Sequence, residues 1–401
     1  MPPFKAAAEH GTSSFMPYYS APSIKKSVVQ EYEGEEIPFE EVGFAFNHYF
    51  LKNILRDKLG FKGYVNSDSG IVNKMSWGVE ELSIAERFAK AINAGTDLVA
   101  DSNDIVNLKL AIEKGWISEK RVDEANIRLL TEMFALGLFD DRTYVDEEAA
   151  VEIVGKAESK EFAYEVHKKS VTVLKNSNNT LPLTAEKLAG KKVYIEAFHQ
   201  DPEKAPTNTE MAINDAKELG QFTLTNDYKE ADVAILFLHP KSGAYFSATP
   251  GLLELELCEK KKLKAIDGSE YEETTLSNME HLKEVVQTVK NNGGKVIISV
   301  NVVLAWIVGN VEPLADAFIA GYDTYHKAQL EVIAGNLKPV GVLPLTLPAS
   351  EEVIAVDEDG VCVSRNDVPG YDKDLYMPEG LSYAYKDRDG NVYKMGHGLT
   401  Y

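Results

Sequence analysis

Residues Gly60 to Gly70 read GFKGYVNSDSG. Tyr64 and Val65 favour a strand, Gly60 and Gly63 punctuate its approach, and Ser67-Asp68-Ser69-Gly70 is turn chemistry that stops it. A buried strand that carries a carboxylate to its carboxyl end is how α/β barrels hold catalytic groups, because the strand fixes the backbone while the next loop shapes a pocket. Asp68 is the candidate nucleophile. On the local pattern alone, an Asp before Ser-Gly is more often an Asx-turn or a helix cap than a nucleophile.

Working outward, Ser13–Tyr19, Tyr64–Asp68 and Thr96–Asp101 read as strands. Helices are expected near Asn47–Lys58, Glu81–Ala94, Ile105–Lys114 and Glu119–Leu136. In the last of these Ser118 is an N-cap, Gly137 is the stop, and Val122, Ala125, Leu129, Leu130, Met133 and Leu136 are expected in the core. The acidic stretch from Asp140 to Lys160 reads as a linker with room for a helical turn. Beyond it strands are expected at Lys192–Ala197, Val233–Leu238, Lys295–Val300 and Asp316–Ile319. Helices are expected at Glu161–Lys169, Ala212–Leu219, Asn278–Asn291 and Thr324–Gly335. That alternation predicts a doubly wound sheet, with ligands gathering at the loops after Leu238 and Val300.

The whole chain has 401 residues, 44% of them hydrophobic, enough for two sizeable cores. A net charge of −21 repels phosphate backbones and anionic lipid, which argues against a nucleic-acid or membrane-surface role and favours a neutral or weakly charged substrate. The basic run Lys260–Lys264 reads as a solvated face. Cys258 and Cys362 allow one bridge at most, so disulfides are not the framework. No apolar stretch approaches the roughly 20 residues that cross a bilayer, and a soluble chain of unassigned compartment is expected. No spacing of His, Cys and Asp suggests a metal, and no glycine loop suggests a nucleotide, so no cofactor is expected.

The segment LRDKLGFKGYVNSDSG, Leu55–Gly70, resembles the part of glycoside hydrolase family 3 that carries its catalytic aspartate. AGTDLVA at Ala94–Ala100 resembles the family's last barrel strand, and the helix ending in LGLFD resembles the one before its interdomain linker. SVTVLKNSNNTLPL at Ser170–Leu183, PVGVLPLTLP at Pro339–Pro348 and GHGLTY at Gly396–Tyr401 are similar to segments of its second domain. The resemblance, held in order along nearly the whole chain, implies an α/β fold. Residues 1–140 would be the last strands of a (β/α)8 TIM-type barrel, 141–160 a linker and 161–401 an α/β sandwich domain.

A barrel of this type needs eight strands in about 250 residues, and about three are here. An open fragment would expose unpaired edges. A second polypeptide supplying the earlier strands, a fragmentary sequence, or pairing of two copies would each account for it. The resemblance further implies a retaining, exo-acting β-glycosidase of the β-glucosidase kind, acting on a β-linked glucoside or oligosaccharide. Its contacts to the nonreducing sugar would come from the missing strands.

Retaining glycosidases need a nucleophile and an acid/base carboxyl. The resemblance gives Asp68 the first role and expects the acid as a glutamate in KSGAYFSAT, Lys241–Thr249, where Ala244 stands instead. An engineered knockout, a natural loss of hydrolysis, or an acid elsewhere would each explain Ala244. Glu270, Glu272 and Glu273, expected on a flexible polar stretch before a helix, are the alternative acids, or else carboxylates complementing that helix's dipole. Met16 and Tyr19 match a Met-x-x-Tyr strand end beside the nucleophile, Tyr18 being the neighbour open to confusion. Ser69 stands where many members carry an aromatic sugar platform, a role open to Trp77. His48, His239 and His397 are assigned no role. A non-catalytic carbohydrate-binding or scaffolding subunit is the alternative reading.

Overall fold

The computed structural model describes residues 2–24, 28–38, 40–140, 145–242, 254–264, 270–354, 377 and 379–401. Ala244 and Cys362 lie outside them. The chain divides into two compact units, Met1–Val145 and Asp146–Tyr401, apart from residues 246–250, which are also outside the described set.

The first unit opens with helix α1 (Pro2–Glu9) and strand β1 (Ser14–Phe15), followed by a small hairpin of β2 (Glu31–Tyr32) and β3 (Glu35–Glu36). Strand β4 (Tyr64–Val65) pairs parallel with β1, and Asn66 bridges Leu98 in parallel on its other side. All three expected strands are therefore present as pairings but much shorter than the sequence suggested. Gly63 permits the closest approach, since a Cβ there would stand 2.0 Å from the Ser13 carbonyl oxygen.

A wide, π-type helix spans Tyr49–Lys58 where an ordinary helix was expected. Helix α2 (Ile84–Ala94) starts with a capping box between Ser83 and Glu86, then come α3 (Ile105–Glu113) and α4 (Glu119–Ala135), with Ser118 capping Arg121 N–H. The expected core face of α4 is a correction: Ala125 alone is buried, while Leu130, Met133 and Leu136 are exposed. A helical stripe in sequence marks a face that packs only where other elements cover it, and among the described residues this face is left largely open.

The second unit begins with α5 (Glu147–Ile153) and α6 (Ala157–Ser170), so the stretch expected to link the domains is largely helical. Six strands follow in one sheet: β5 (Thr172–Asn176), β6 (Val193–His199), β7 (Leu224–Thr225), β8 (Val233–His239), β11 (Lys295–Asn301) and β12 (Ala317–Gly321). Their order is β5-β12-β11-β8-β6-β7, all parallel except β5. Between β8 and β11 lies an antiparallel hairpin of β9 (Lys261–Lys264) and β10 (Glu270–Glu273). Helices α7 (Ala185–Leu188), α8 (Ala205–Leu219), α9 (Met279–Asn291) and α10 (His326–Ala334) complete the layers.

The run VAILFL in β8 is continuous because both faces are covered. Ala234, Leu236 and Leu238 enter one core with Leu282, Val285 and Val289 of α9. Val233, Ile235 and Phe237 enter the other with Ala212 and Ala216 of α8 and Leu330 and Ile333 of α10. Each such apolar side chain contributes about 1.5–3 kcal/mol on burial, which makes this alternation the main source of the sheet's stability. GHGLTY is not a strand; Leu399 makes one antiparallel bridge to Val173, and His397 Nε2 meets the Leu174 carbonyl at 3.0 Å.

Candidate active site

In the first unit Asp68 stands two residues past the Asn66–Leu98 bridge, on the turn that leaves β4. Ser67 ties the two chain segments together here: its N–H donates to the Leu98 carbonyl at 2.9 Å, and its hydroxyl oxygen accepts from the Ala100 N–H at 2.9 Å. Ser69 N–H donates to Asp68 Oδ1 at 2.7 Å, one residue on rather than the two residues of an Asx-turn. Gly70, at φ +70, then lets the turn close onto Lys74 and Met75. Asp68 is half-buried and Ser69 exposed.

Tyr19 reaches this turn from the segment after β1. Its hydroxyl donates to the Ser69 carbonyl at 2.8 Å, and its ring meets Trp77 edge-on at 6.0 Å. Burial, and after it the adjacent Asp68 carboxylate, raises the Tyr19 phenol above its ordinary pKa, with a smaller push from Asp101. The phenol therefore stays protonated and is a donor beside the Asp68 carboxylate. Met16 is exposed, and Tyr18 stacks on Phe44 at 5.0 Å.

Strand β4 is held at Val65 by Asp97, which sequence reasoning missed. Its enclosed carboxylate accepts from Arg56 at 2.6 Å, Arg121 at 2.8 Å, Arg128 at 2.7 Å and the Val65 N–H at 2.9 Å. These partners lie 41, 24, 31 and 32 residues away in sequence, so no local pattern reveals them. The cluster joins the π-type helix, α4 and β4 into one support for the strand that bears Asp68.

In the second unit a cavity of about 440 Å³ opens at the carboxyl ends of β8, β11 and β12, where doubly wound sheets bind ligands. His239 and His326 face each other there, Nε2 to Nε2 at 3.1 Å. Burial lowers both imidazoles to about 4, so both are neutral at pH 7 and one ring donates to the other. Their separation by 87 residues hid the pair from sequence.

Glu270, Glu272 and Glu273 lie on strand β10, which corrects the expected loop before a helix and removes the helix-dipole reading. Glu270 and Glu272 are exposed; Glu273 is buried, and burial raises its carboxyl. The basic run Lys260–Lys264 forms β9 rather than a uniformly solvated face. Burial alone would lower Lys261, but the hydrogen bonds its ammonium donates to Glu256, Glu351 and Glu254 outweigh it and hold it charged. Those three glutamates are also the one cluster with metal-ligand spacing among the described residues, and Lys261 occupies it.

Residues 1–132 match the family model "Glycosyl hydrolase family 3 N terminal domain", and residues 171–401 match "Glycosyl hydrolase family 3 C-terminal domain". The chain belongs to glycosyl hydrolase family 3. It is 29% identical over 416 residues to beta-glucosidase C of Emericella nidulans, covering 100% of this chain and 55% of that protein. Among solved structures, a β-glucosidase of Erythrobacter marinus superposes with a TM-score of 0.61 at 20% identity, covering 100% of this chain and 54% of the other. A β-glucosidase of Listeria innocua in complex with glucose superposes with a TM-score of 0.55 at 20% identity, covering 89% and 49%. The chain thus spans about half the length of the relatives it matches.

Proposed function

We propose that the chain forms part of a retaining, exo-acting β-glycosidase that hydrolyses β-glucosides, with Asp68 as nucleophile. The observation that carries this reading is the strand-end turn in which Asp68 sits half-buried beside the protonated Tyr19 hydroxyl. Family membership supports the reaction class, and the glucose complex of the Listeria innocua relative supports the sugar.

In this reading residues 1–140 are the closing strands of a TIM-type barrel and 161–401 the α/β sandwich domain. Catalysis requires the strands that complete the barrel and bind the nonreducing sugar. Asp68 attacks the anomeric carbon, the glycosidic C–O bond breaks, and its electron pair leaves on the aglycone oxygen with a donated proton. Water then releases the sugar with net retention. Tyr19 steadies the Asp68 turn through its hydroxyl, which donates to the Ser69 carbonyl.

The methyl group of Ala244 donates no proton, so in this reading that position does not supply the acid and another carboxyl must. In this reading Met16 lies beside the nucleophile and Ser69 on the leaving-group side. The test is hydrolysis of aryl β-glucosides by the chain, alone and mixed with the barrel-completing segment of a relative, with the product anomer read by proton NMR. Release of β-glucose first supports the reading. Sugar binding without any turnover would instead favour a non-catalytic carbohydrate-binding subunit, the reading that Ala244 recommends.

A further inference from the structure

We propose that Ser67 is a positioning residue for the reaction proposed above: its hydroxyl ends the strand ladder at Asp68 and fixes the peptide group that orients the nucleophile's carboxylate. This inference rests on that reading and names what holds its reacting group in place.

The ladder shows why a hydroxyl stands there. The parallel bridge between Asn66 and Leu98 is made by two bonds, Leu98 N–H to the Val65 carbonyl at 3.0 Å and Ser67 N–H to the Leu98 carbonyl at 2.9 Å. In a ladder that ran on, the next donor, Ala100 N–H, would meet the main-chain carbonyl of Ser67. It meets the Ser67 hydroxyl oxygen instead, at 2.9 Å. The side chain takes the place of its own carbonyl, so the backbone is released to turn at Asp68 while the neighbouring segment stays paired.

The hydroxyl's proton is donated to the Asp68 carbonyl at 2.8 Å. That carbonyl and the Ser69 N–H belong to one peptide group, and the N–H donates to Asp68 Oδ1 at 2.7 Å. The group is planar, so holding its oxygen holds its N–H, and a hydrogen bond accepted at the carbonyl polarises the amide toward stronger donation. A continuous chain of hydrogen bonds therefore runs from Ala100 N–H through the Ser67 hydroxyl and the Asp68–Ser69 peptide to the carboxylate. Tyr19 binds the next carbonyl, that of Ser69, so consecutive carbonyls of the turn are each held by a side-chain hydroxyl.

Burial separates this role from contact with substrate. Ser67 is fully enclosed, at 0% exposure, whereas Asp68 is half-buried, so the serine acts only through its neighbour. A nucleophile reacts from a near-attack geometry, and a displacement of about 1 Å costs on the order of 10²-fold in rate. Without the hydroxyl, the Ala100 N–H and the Asp68 carbonyl both lose these partners at the point where the chain turns.

The test is trapping of the barrel-complemented chain with a dinitrophenyl 2-fluoro-β-glucoside, separating the saturating rate of adduct formation from the half-saturating concentration. Ser67→Ala is expected to form the Asp68 adduct about 10- to 100-fold more slowly at saturation, with a half-saturating concentration within about twofold of the parent's. Ser67→Cys, which keeps a weaker donor of similar shape, should also slow the saturating rate, and it decides the matter if the alanine variant does not fold. A serine that only supports the ladder would lower the melting temperature and leave the saturating rate of the folded variant unchanged. That result, or a loss confined to the half-saturating concentration, would overturn the positioning role. No adduct on Asp68 in the complemented parent would overturn the underlying reading instead, and this inference with it.

Discussion

The Asp97 carboxylate accepts from Arg56 at 2.6 Å and, through the same oxygen, from the backbone N–H of Val65 at 2.9 Å. One enclosed side chain thereby fixes both a helix and the strand that leads to Asp68. Arg121 and Arg128 share its other oxygen. Replacing Asp97 with alanine would leave three guanidiniums converging on no anion, and breaking a buried pair in this way costs about 3–5 kcal/mol. Asp97→Ala is expected to unfold the first unit at markedly lower denaturant while the second unit holds. Hydrogen exchange resolved by peptide would report it as lost protection around Val65, and unchanged protection there would refute the support role.

Gly63 lies where β1 and β4 cross most closely. Gly63→Ala should push its new methyl into the Ser13 carbonyl and cost about 1–3 kcal/mol, the usual range for overpacking. The Tyr64 and Asn66 amides, which donate to Ser13 and Phe15, should then exchange faster than in the parent. Parental exchange rates at both would show that the backbone absorbs the methyl.

Tyr19→Phe removes the hydroxyl that donates to the Ser69 carbonyl. A hydrogen bond of this kind is worth about 1 kcal/mol, so reaction with a 2-fluoro-glucoside should slow by roughly five- to tenfold without loss of the fold. An unchanged rate would remove Tyr19 from the site.

The His239–His326 pair makes the second unit sensitive to acid. Both imidazoles are lowered by burial to about 4, below the unfolded value near 6.5. Above 6.5 neither state binds the proton and the pair has no pH effect. As pH falls from about 6.5 to 4 the unfolded state takes up protons that the folded state refuses, so stability drops by on the order of 3 kcal/mol for each imidazole. Below about 4 the slope levels off. His326→Gln should flatten that window in a series of thermal melts, and a parental slope in the variant would place the titration elsewhere.

The second unit was legible because parallel strands buried on both faces announce themselves as apolar runs. VAILFL and KVIISV lie in β8 and β11 almost as read, with one residue added to each strand end. Helix starts marked by Ser118 or ended by a glycine were also readable, since caps are local chemistry. The first unit was harder. Its strands are two-residue pairings set by contacts between distant segments, and the stripe on α4 promised a core that the described residues do not provide.

The hairpin of β9 and β10 was missed because its alternating charge hides a strand. Its register sets Glu270 opposite Lys264 and Glu272 opposite Lys262, a cross-strand complementarity between KKLK and EYEE that a pairwise search would have found. Of the site, Asp68, Ser69 and Tyr19 are brought to one turn, while Met16 lies exposed near its start. Asp97 carried no local signal, because partners between 24 and 41 residues away define it.

The most direct measurement is an intact mass of the chain, alone and with the barrel-completing segment, after incubation with a dinitrophenyl 2-fluoro-β-glucoside, followed by peptide mapping. The account predicts a single 2-fluoroglucosyl ester on Asp68, lost in Asp68→Asn. An adduct on another carboxylate, or none in the complemented chain, would contradict the assignment of Asp68 as nucleophile.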